Sequence, residues 1–378
     1  MKYITRNKSI LTDKENLEHL YTLKNFPVFM GCVNSSQDED LMADMVWDIC
    51  KDTGIIQLRN LIPLEVLYLN QHNDGYGKIW QDHYIEFAKF IKKHSDKDNI
   101  LEIGGAHDWV AKNYMNICPD VNWTIVEPNP QNVDNSKIKI IKGWFDDKFT
   151  YDKPVDTIVH SHVFEHVYNP FEFIKHIGTF LNVGDKHIFT FPNMLSMFEK
   201  KYTSCLNFEH SVFLTESVTD YIIQRAGFKI LEKQYYKDSH SIFYVTEKVG
   251  NFLDDLEIES KYDEYRKLFM DFINYHTDMI NDLNKKITSS QNDTYLFGAH
   301  IFSQYLIGFG LDTNLILSVL DNSPNKQGKR LYGTDLKVES PKVLAGKGPV
   351  NIILKAGIYN DEIKKDILEN INSEVIFL

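Results

Sequence analysis

The 378-residue sequence predicts an α/β protein with a doubly wound parallel sheet, a second and smaller α/β domain at the C-terminus, and a small N-terminal accessory region. In the middle of the chain, apolar runs of strand length alternate with segments of helical periodicity, which is typical of parallel strands joined by right-handed crossover helices. The first run breaks into two adjacent glycines, where a backbone can approach a ligand closely. The same plan of strand, glycine and helix returns after residue 293.

The amino-acid composition argues against several functional classes. With 43% hydrophobic and 13% aromatic residues, the chain can bury cores of its own and is not of a disordered class. Its net charge of −12, with lysines and arginines scattered along the chain, argues against a nucleic-acid partner. No apolar stretch reaches the length of a membrane span, so we expect a cytoplasmic protein without a membrane partner. The cysteines, expected to be free thiols, are Cys32, Cys50, Cys118 and Cys205.

Apolar periodicity predicts the order of the elements. We predict an accessory region over 1–75, a main domain over 76–248, a linking region over 249–288 and a C-terminal domain over 289–378. The predicted strands of the main domain are 100–103, 123–126, 138–141, 157–160 and 187–191, with helices at 76–93, 169–181 and 217–226 and a closing strand pair at 228–234 and 242–246. An amphipathic helix is predicted over about 251–287, followed by strands that begin at 294, 316 and 351.

Acids and glycines at the ends of the first two strands predict a cofactor site. Gly104 and Gly105 follow the first strand just after Glu102, and Glu127 with Pro128 ends the second strand. In doubly wound sheets a ligand lies across the carboxyl ends of the strands, where such an acid can accept hydrogen bonds from ribose hydroxyls. The third glycine of a dinucleotide fingerprint is missing, so no seat for a pyrophosphate is evident. The alternative interpretation is a plain βαβ turn with an incidental acid.

The pattern E-x-G-G followed by a strand-end Glu resembles the class I S-adenosylmethionine-dependent methyltransferases, which have a Rossmann-like sheet. Nearly the whole chain resembles one family of them, the nucleotide-sugar C-methyltransferases of deoxysugar pathways. The likeness includes F-G-A-H at 297–300, D-N-S-P-N-K-Q-G at 321–328 and the pair Glu209-His210. In that family a tyrosine stands two residues before the Glu of the pair, where this chain has Asn207.

The resemblance implies S-adenosylmethionine as the cofactor and a small sugar, nucleotide-linked, as the substrate. Expected catalytic residues are His210 as a base oriented by Glu209, His162 near the methyl group and His240, in the turn 239–241, near the sugar. The residues expected to contact the cofactor are Glu102, Gly104, Gly105, Glu127, Pro128, Trp144, Phe145, Asp146, His160, Gly75 and Trp80. Open alternatives make Trp144 and Phe145 core residues, the Gly75 turn a linker and the Glu209-His210 pair a surface feature.

No metal is predicted. The family's N-terminal module holds zinc with four cysteine thiolates, but here only Cys32 and Cys50 lie in that region, so the module is interpreted as degenerate. On a helix, His162, Glu165 and His166 would share one face, a spacing that can bind a metal. Because this segment ends a strand beside the cofactor in the methyltransferase fold, we interpret it as a wall of the pocket.

Three functions remain in competition. The first is O-methylation of a nucleotide-activated hexose or heptose, in polysaccharide or deoxysugar modification, and it is slightly preferred because the family's tyrosine is absent at Asn207. The second is C-methylation beside a keto group, which needs a base and a partner that stabilises the enolate. The third is a catalytically inactive binding or scaffold protein. The intact Glu102, Gly104, Gly105 and Glu127 argue against the third. The oligomeric state is left open.

Overall fold

The computed structural model describes residues 3–68, 77–95, 97–131, 137–237, 240–253 and 256–378. Within these ranges the chain has the predicted mixed α/β architecture, built around a seven-stranded sheet and a separate five-stranded sheet. Smaller antiparallel sheets formed by the N-terminal segment accompany them.

The N-terminal segment consists mainly of antiparallel strands. Its elements are β1 (Ile4–Thr5), β2 (Leu17–Pro27), β3 (Cys32–Val33), β4 (Met42–Cys50), β5 (Ile56–Leu58), β6 (Asn60–Leu61) and the short helix α1 (Leu64–Leu67). Strands β2, β4 and β5 form one sheet, and β1 pairs with β6. Their apolar faces share a buried cluster with residues of the seven-stranded sheet, so this segment packs directly against it.

The middle of the chain forms the large sheet. Its elements are α2 (Lys78–His94), β7 (Asn99–Ile103), α3 (Trp109–Met115), β8 (Asn122–Glu127), β9 (Ile138–Lys142), β10 (Thr157–Ser161), α4 (Pro170–Phe180), β11 (Lys186–Pro192), α5 (Met194–Glu199), α6 (Glu216–Arg225), β12 (Phe228–Tyr236) and β13 (Ser241–Lys248). The strand order is β12-β13-β11-β10-β7-β8-β9, with β13 antiparallel to both of its neighbours.

The strand order reverses at the centre of this sheet. From β7 the chain moves outward to β8 and β9, and it then returns to β10 on the other side of β7. Strands β7 and β10 pair in parallel, so their carboxyl ends border the crevice where ligands of such sheets lie.

Local sequence accounts for the helices that flank the sheet. In α2, His83, Phe87 and Ile91 recur at helical spacing and are buried against the strands. Helix α4 begins where the Asn169 side chain accepts a hydrogen bond from the Glu172 amide at 3.3 Å, and Pro170 occupies the first turn.

The C-terminal part forms the smaller sheet. Its elements are α7 (Tyr262–Ser289), β14 (Thr294–Phe297), α8 (Ile301–Gly308), β15 (Val319–Leu320), β16 (Arg330–Leu331), β17 (Val338–Glu339), β18 (Asn351–Leu354), α9 (Asn360–Asn370) and β19 (Ile376–Phe377). The strand order is β17-β15-β14-β18-β19, all parallel. Strand β16 is not part of this sheet and pairs with β3 of the N-terminal segment. Beside this pair, Arg330 donates two hydrogen bonds to Asp40, of 2.6 and 2.7 Å.

Two predicted elements differ from the structure. The helix predicted from about 251 begins at Tyr262, because the backbone before it bonds elsewhere: Val249 and Leu253 donate to Gly227 and Arg225 at the end of α6. The strand predicted from 316 to 321 pairs only at Val319–Leu320. Leu317 in that run is 57% exposed, so the apolar run is longer than the buried strand.

Candidate active site

A large cavity of about 1980 Å³ lies over the carboxyl ends of β7, β8 and β10 and extends to the smaller sheet. The glycine turn after β7 and the end of β8 form one part of its wall. Side chains that follow β10, β11 and β12 form another part, and residues after β14 and β15 line the far end.

The glycine turn after β7 is crowded by neighbouring side chains, so neither glycine position has room for a Cβ. Gly104 has a φ of 76°, and a Cβ there would overlap the Val163 side chain. A Cβ on Gly105 would lie 2.7 Å from Cδ of Glu102 and 3.0 Å from Ile125. Both glycines line the cavity, as the sequence predicts for a cofactor loop.

Glu102 is buried below this turn and lines the cavity. Its carboxyl accepts a hydrogen bond of 2.7 Å from the Trp123 indole nitrogen, which fixes its orientation. Burial raises the pKa of Glu102 to about 8. A cation placed beside it would restore the charged form of the carboxyl.

Glu127 ends β8 and is 7% exposed, with Pro128 beside it in the wall of the cavity. One carboxylate oxygen accepts a hydrogen bond of 2.8 Å from the Asn129 amide. Burial raises the pKa of Glu127, because the charged form loses water. A second acceptor oxygen remains, which suits the predicted contact with vicinal hydroxyls.

The segment after β9 has a mixed role. Trp144 is 41% exposed, lines the cavity and meets the Tyr68 ring edge-on at 5.6 Å. Phe145 also reaches the cavity, but its ring packs on Phe173 and other aromatic rings of the core. Asp146 lines the cavity and accepts from the Lys148 amide. The open alternative of a core role therefore holds in part for Phe145.

Trp80 lines the cavity, whereas Gly75 lies outside the described residues. The Trp80 ring contacts His162 and His240, each with 4.7 Å between centroids. His83, one turn further along α2, is fully buried against the same two histidines at 5.2 and 5.3 Å. We did not predict His83, although its i+3 spacing from Trp80 places both on one helix face.

His160, which the sequence assigns to the cofactor site, does not line the cavity. His160 is in the middle of the sheet, fully buried, and its Nε2 lies 2.9 Å from Nε2 of His187 on β11. Side chains alternate along a strand, so Ser161 and the turn beyond it, rather than His160, line the cavity. One of these two Nε2 atoms donates and the other accepts, so one ring carries its proton on Nε2 and the other on Nδ1.

His162 follows β10 in the left-handed region, with a φ of 54°. Its Nδ1 lies 3.0 Å from a carboxylate oxygen of Glu165, and its Nε2 lies 2.9 Å from the Ser241 hydroxyl. The same hydroxyl lies 2.6 Å from Nδ1 of His240. Ser239, also in the predicted turn, lies outside the described residues.

The donor and acceptor of each of these hydrogen bonds follow from the charge of Glu165. Burial alone would raise the pKa of Glu165, but His162 lowers it, and the net pKa is below the ordinary value. An ionised Glu165 only accepts, so the tautomer of His162 that fits these contacts has its proton on Nδ1 and accepts from Ser241 through Nε2. Ser241 then accepts from Nδ1–H of His240, whose pKa burial lowers to about 3.

Glu209 and His210 line the cavity, but they do not form the predicted pair. Nδ1 of His210 lies 2.9 Å from the Cys205 carbonyl, which orients the ring. The Glu209 carboxylate instead lies 3.6 Å from Nδ1 of His166. The Asn207 side chain accepts from the amides of Glu209 and His210 at 2.7 and 3.0 Å, so it shapes the turn that presents them.

The cysteines are free thiols, as expected. In the N-terminal segment, the Cys32 sulfur donates to the Ala299 carbonyl at 3.4 Å, while Cys50 is bonded to Asn16 at 3.3 Å. The two sulfurs therefore have separate partners, on different sheets.

Comparison with known proteins identifies the unit around the large sheet. Residues 77–233 match the family model described as a methyltransferase domain. This unit is a methyltransferase domain. Its glycine turn, buried Glu102 and strand-end Glu127 fit the class I type, and S-adenosylmethionine is the cofactor of this methyltransferase. No curated protein sequence matches the chain.

Solved structures give weaker likenesses. An S-adenosylmethionine-dependent methyltransferase from Mesorhizobium loti is 10% identical, with a TM-score of 0.38, over 44% of this chain and 99% of that chain. The plantazolicin methyltransferase BpumL, solved with a desmethyl-plantazolicin analogue and S-adenosylhomocysteine, is 12% identical, with a TM-score of 0.36, over 46% of this chain and 84% of that chain. Scores this low carry no argument about the substrate. Among the described residues, no helix combines the length and apolarity that crossing a membrane requires.

Proposed function

We propose that this methyltransferase acts on a hydroxyl of a nucleotide-activated sugar. The observation that carries the proposal is the extent of the cavity, which continues from the cofactor edge of the large sheet to the smaller sheet. Lys329 lines that far end, where it can bind a phosphate of an activated sugar, and Lys326 beside it forms an ion pair with Asp321. Polar side chains between the two ends, among them Asn207 and Glu209, can bind sugar hydroxyls.

In this proposal the cofactor lies across the glycine turn. Glu127 accepts from the ribose hydroxyls, Trp144 and Asp146 cover the adenine, and Glu102 lies below the cationic methionine end. The sulfonium methyl group then faces His162 after β10. The turn requires glycine at both positions, because a Cβ there would overlap the Val163 or Glu102 side chain.

The proton of the acceptor hydroxyl leaves through the hydrogen-bonded chain of His240, Ser241 and His162. A proton that enters at His240 or Ser241 passes to Nε2 of His162, and the Glu165 carboxylate stabilises the resulting imidazolium. This assignment replaces the predicted role of His210 as base, because Glu209 does not orient His210. Methyl transfer itself is an in-line displacement that needs alignment above all.

One observation favours C-methylation beside a keto group as a second candidate. The Glu209 carboxyl lines the cavity and has one oxygen without a hydrogen bond, and burial raises its pKa to about 7, so its protonated form would donate to an enolate oxygen. The histidine chain would then act as the base at the neighbouring carbon. The two candidates differ in the product, a methyl ether or a branched C-methyl sugar.

The test is incubation with methyl-labelled S-adenosylmethionine and a panel of nucleotide hexoses and heptoses, with and without a 4-keto group, followed by mass spectrometry and NMR. A labelled methyl ether supports O-methylation, and a labelled C-methyl carbon supports the second candidate. Transfer to peptides or free sugars but to no nucleotide sugar would contradict both. Calorimetry with S-adenosylmethionine separates an active enzyme from an inactive scaffold, which would not bind it.

The His162 assignment has its own test. His162→Ala should lower kcat by roughly 10²–10⁴-fold and change the dissociation constant of S-adenosylhomocysteine by less than threefold. The control His19→Ala changes an exposed histidine far from the cavity and should leave both values unchanged. A full turnover rate in His162→Ala would move the base elsewhere.

A further inference from the structure

A second cluster of polar side chains lies in the cavity beside the histidine chain. Glu165, His166 and His210 each offer one ligand atom, and these atoms lie within 4.8 Å of one another. The carboxylate of Glu209 joins them at 3.6 Å from Nδ1 of His166. Two imidazoles and two carboxylates from distant segments thus converge on one point of the wall.

These groups lack the partners that their burial demands. The side chains of Glu165 and Glu209 are 1% and 8% exposed, and each has one carboxylate oxygen without a hydrogen bond. Nδ1 of His166 also has no hydrogen bond, since the Glu209 carboxylate 3.6 Å away is beyond hydrogen-bond distance. Among the described residues, the ion pairs of both carboxylates are with histidines, and no lysine or arginine pairs with them. Buried polar atoms in folded proteins almost always have partners, so this arrangement points to a missing one.

We propose that Glu165, His166 and His210 bind one divalent transition-metal ion, with Glu209 as a further ligand. Imidazole nitrogens suit Zn²⁺, Mn²⁺ or Fe²⁺, whereas Mg²⁺ prefers oxygen ligands and retains its waters. Ligand atoms lie about 2.0–2.2 Å from such an ion, so small side-chain rotations would draw the donors inward.

The surrounding hydrogen bonds match those of known metal ligands. Ligating histidines usually donate their other ring N–H to a carbonyl or a carboxylate, which fixes the tautomer. Nδ1 of His210 lies 2.9 Å from the Cys205 carbonyl, so its Nε2 lone pair is available. Glu165 is held through its other oxygen by His162, at 3.0 Å.

One nitrogen from each of His83, His162 and His240 also lies within 4.8 Å of the other two, so this neighbouring group is a second possible metal site. Most of its nitrogens, however, already form hydrogen bonds. Both nitrogens of His162 have hydrogen-bond partners, and Nδ1 of His240 is bonded to Ser241. His83 has one nitrogen without a partner, but it is fully buried and does not line the cavity. The group around Glu165 is therefore the better site.

The sequence pattern alone points to different ligands. His162, Glu165 and His166 have metal-like spacing, but 164–166 forms a single 3-10 turn, and His162 faces Ser241 instead. His210, forty-four residues after His166 in the chain, takes the third position. If the proposed function is also correct, the ion lies where an acceptor oxygen can bind to it, but the binding of the ion does not depend on that.

The experiment titrates the full-length, EDTA-stripped protein with MnCl₂, ZnCl₂ or MgCl₂ by isothermal titration calorimetry, without cofactor or acceptor. We expect one Mn²⁺ or Zn²⁺ per chain and at least tenfold weaker binding of Mg²⁺. His166→Ala and Glu209→Gln should each weaken binding at least tenfold, and the control His19→Ala should leave it unchanged. Unaltered affinity for S-adenosylhomocysteine shows that each variant is folded.

The outcomes are distinct from those of the substrate test, because no acceptor is present. Lack of saturable binding to the stripped wild-type protein would overturn the proposal. Loss of binding in His83→Ala with full binding in His166→Ala would assign the ion to the other histidine group and also overturn it. Equal affinity for Mg²⁺ and Mn²⁺ would contradict the assignment of imidazole ligands.

Discussion

In each of the two larger sheets, a glycine follows the first parallel strand and an acid lies at the end of the second, but the two acids have different partners. In the large sheet, one carboxylate oxygen of Glu127 accepts a hydrogen bond from the Asn129 amide in the loop that follows. In the small sheet, Asp321 accepts from the amides of Ala299 and Ser323 at 2.9 Å and from Lys326 at 3.0 Å. The carboxylate of Asp321 is therefore satisfied within its own unit, whereas Glu127 retains capacity for a ligand.

The glycines that follow the first strand of each sheet also differ in their surroundings. Gly104 and Gly298 both have a positive φ, of 76° and 102°. A Cβ on Gly104 would overlap Val163, whereas a Cβ on Gly298 would meet open space. Similar sequence patterns thus give a turn crowded by a neighbouring side chain in one sheet and an open turn in the other. A strand, a glycine and a strand-end acid predict the fold of both units, but only Glu127 has a carboxylate oxygen left for a ligand.

Paired glycine substitutions should give the largest difference between the two sheets. In Gly104→Ala, the methyl group must displace Val163 and strain the backbone, so we expect at least a hundredfold loss of affinity for S-adenosylhomocysteine. In Gly298→Ala, only the backbone strain of about 1 kcal/mol remains, and the affinity should change less than twofold. Calorimetry on both variants measures this. Equal losses would show that the two turns are not functionally different.

The strand-end acids should give the next largest difference. Glu127→Ala removes a charged acceptor of ribose hydroxyls and should weaken S-adenosylhomocysteine binding at least tenfold, because such hydrogen bonds contribute about 1.5–3 kcal/mol. Asp321→Ala removes an internal partner of two amides, so the melting temperature should fall while the cofactor affinity stays within twofold. Cofactor binding that survives Glu127→Ala in a folded protein would contradict the assigned site.

Much of the fold could be predicted from the sequence, because strand-length apolar runs and helical periodicity extend through the middle of the chain. The boundaries failed where tertiary contacts overrode the periodicity, as at Leu253, whose amide bonds to the end of α6. Glu102, Gly104, Gly105 and Glu127 lie together at the cavity because motifs at the ends of adjacent parallel strands meet at one edge. The partner of Glu209 could not be predicted, because His166 lies in a different segment.

The smallest expected difference concerns acid sensitivity. The large sheet buries His160 and His187 between β10 and β11, whereas none of the described strands of the small sheet contains a histidine. Burial holds the pKa of His187 at about 3 and that of His160 well below its ordinary value. Both groups are therefore neutral in the folded protein, but they take up protons on unfolding below about pH 6.5.

The sign follows from linkage. Between about pH 3 and 6.5 the unfolded state binds more protons than the folded state. The free energy of unfolding therefore has its full value above pH 6.5 and decreases as the pH falls. The decrease is up to about 1.4 kcal/mol per pH unit for each histidine. Hydrogen exchange should show that β10 and β11 lose protection at a higher pH than β14 and β18. The double variant His160→Phe/His187→Phe, which suits the surrounding phenylalanines, should flatten this slope by about two protons relative to the exposed control His19→Phe. An unchanged slope would mean that the proton uptake occurs elsewhere in the chain.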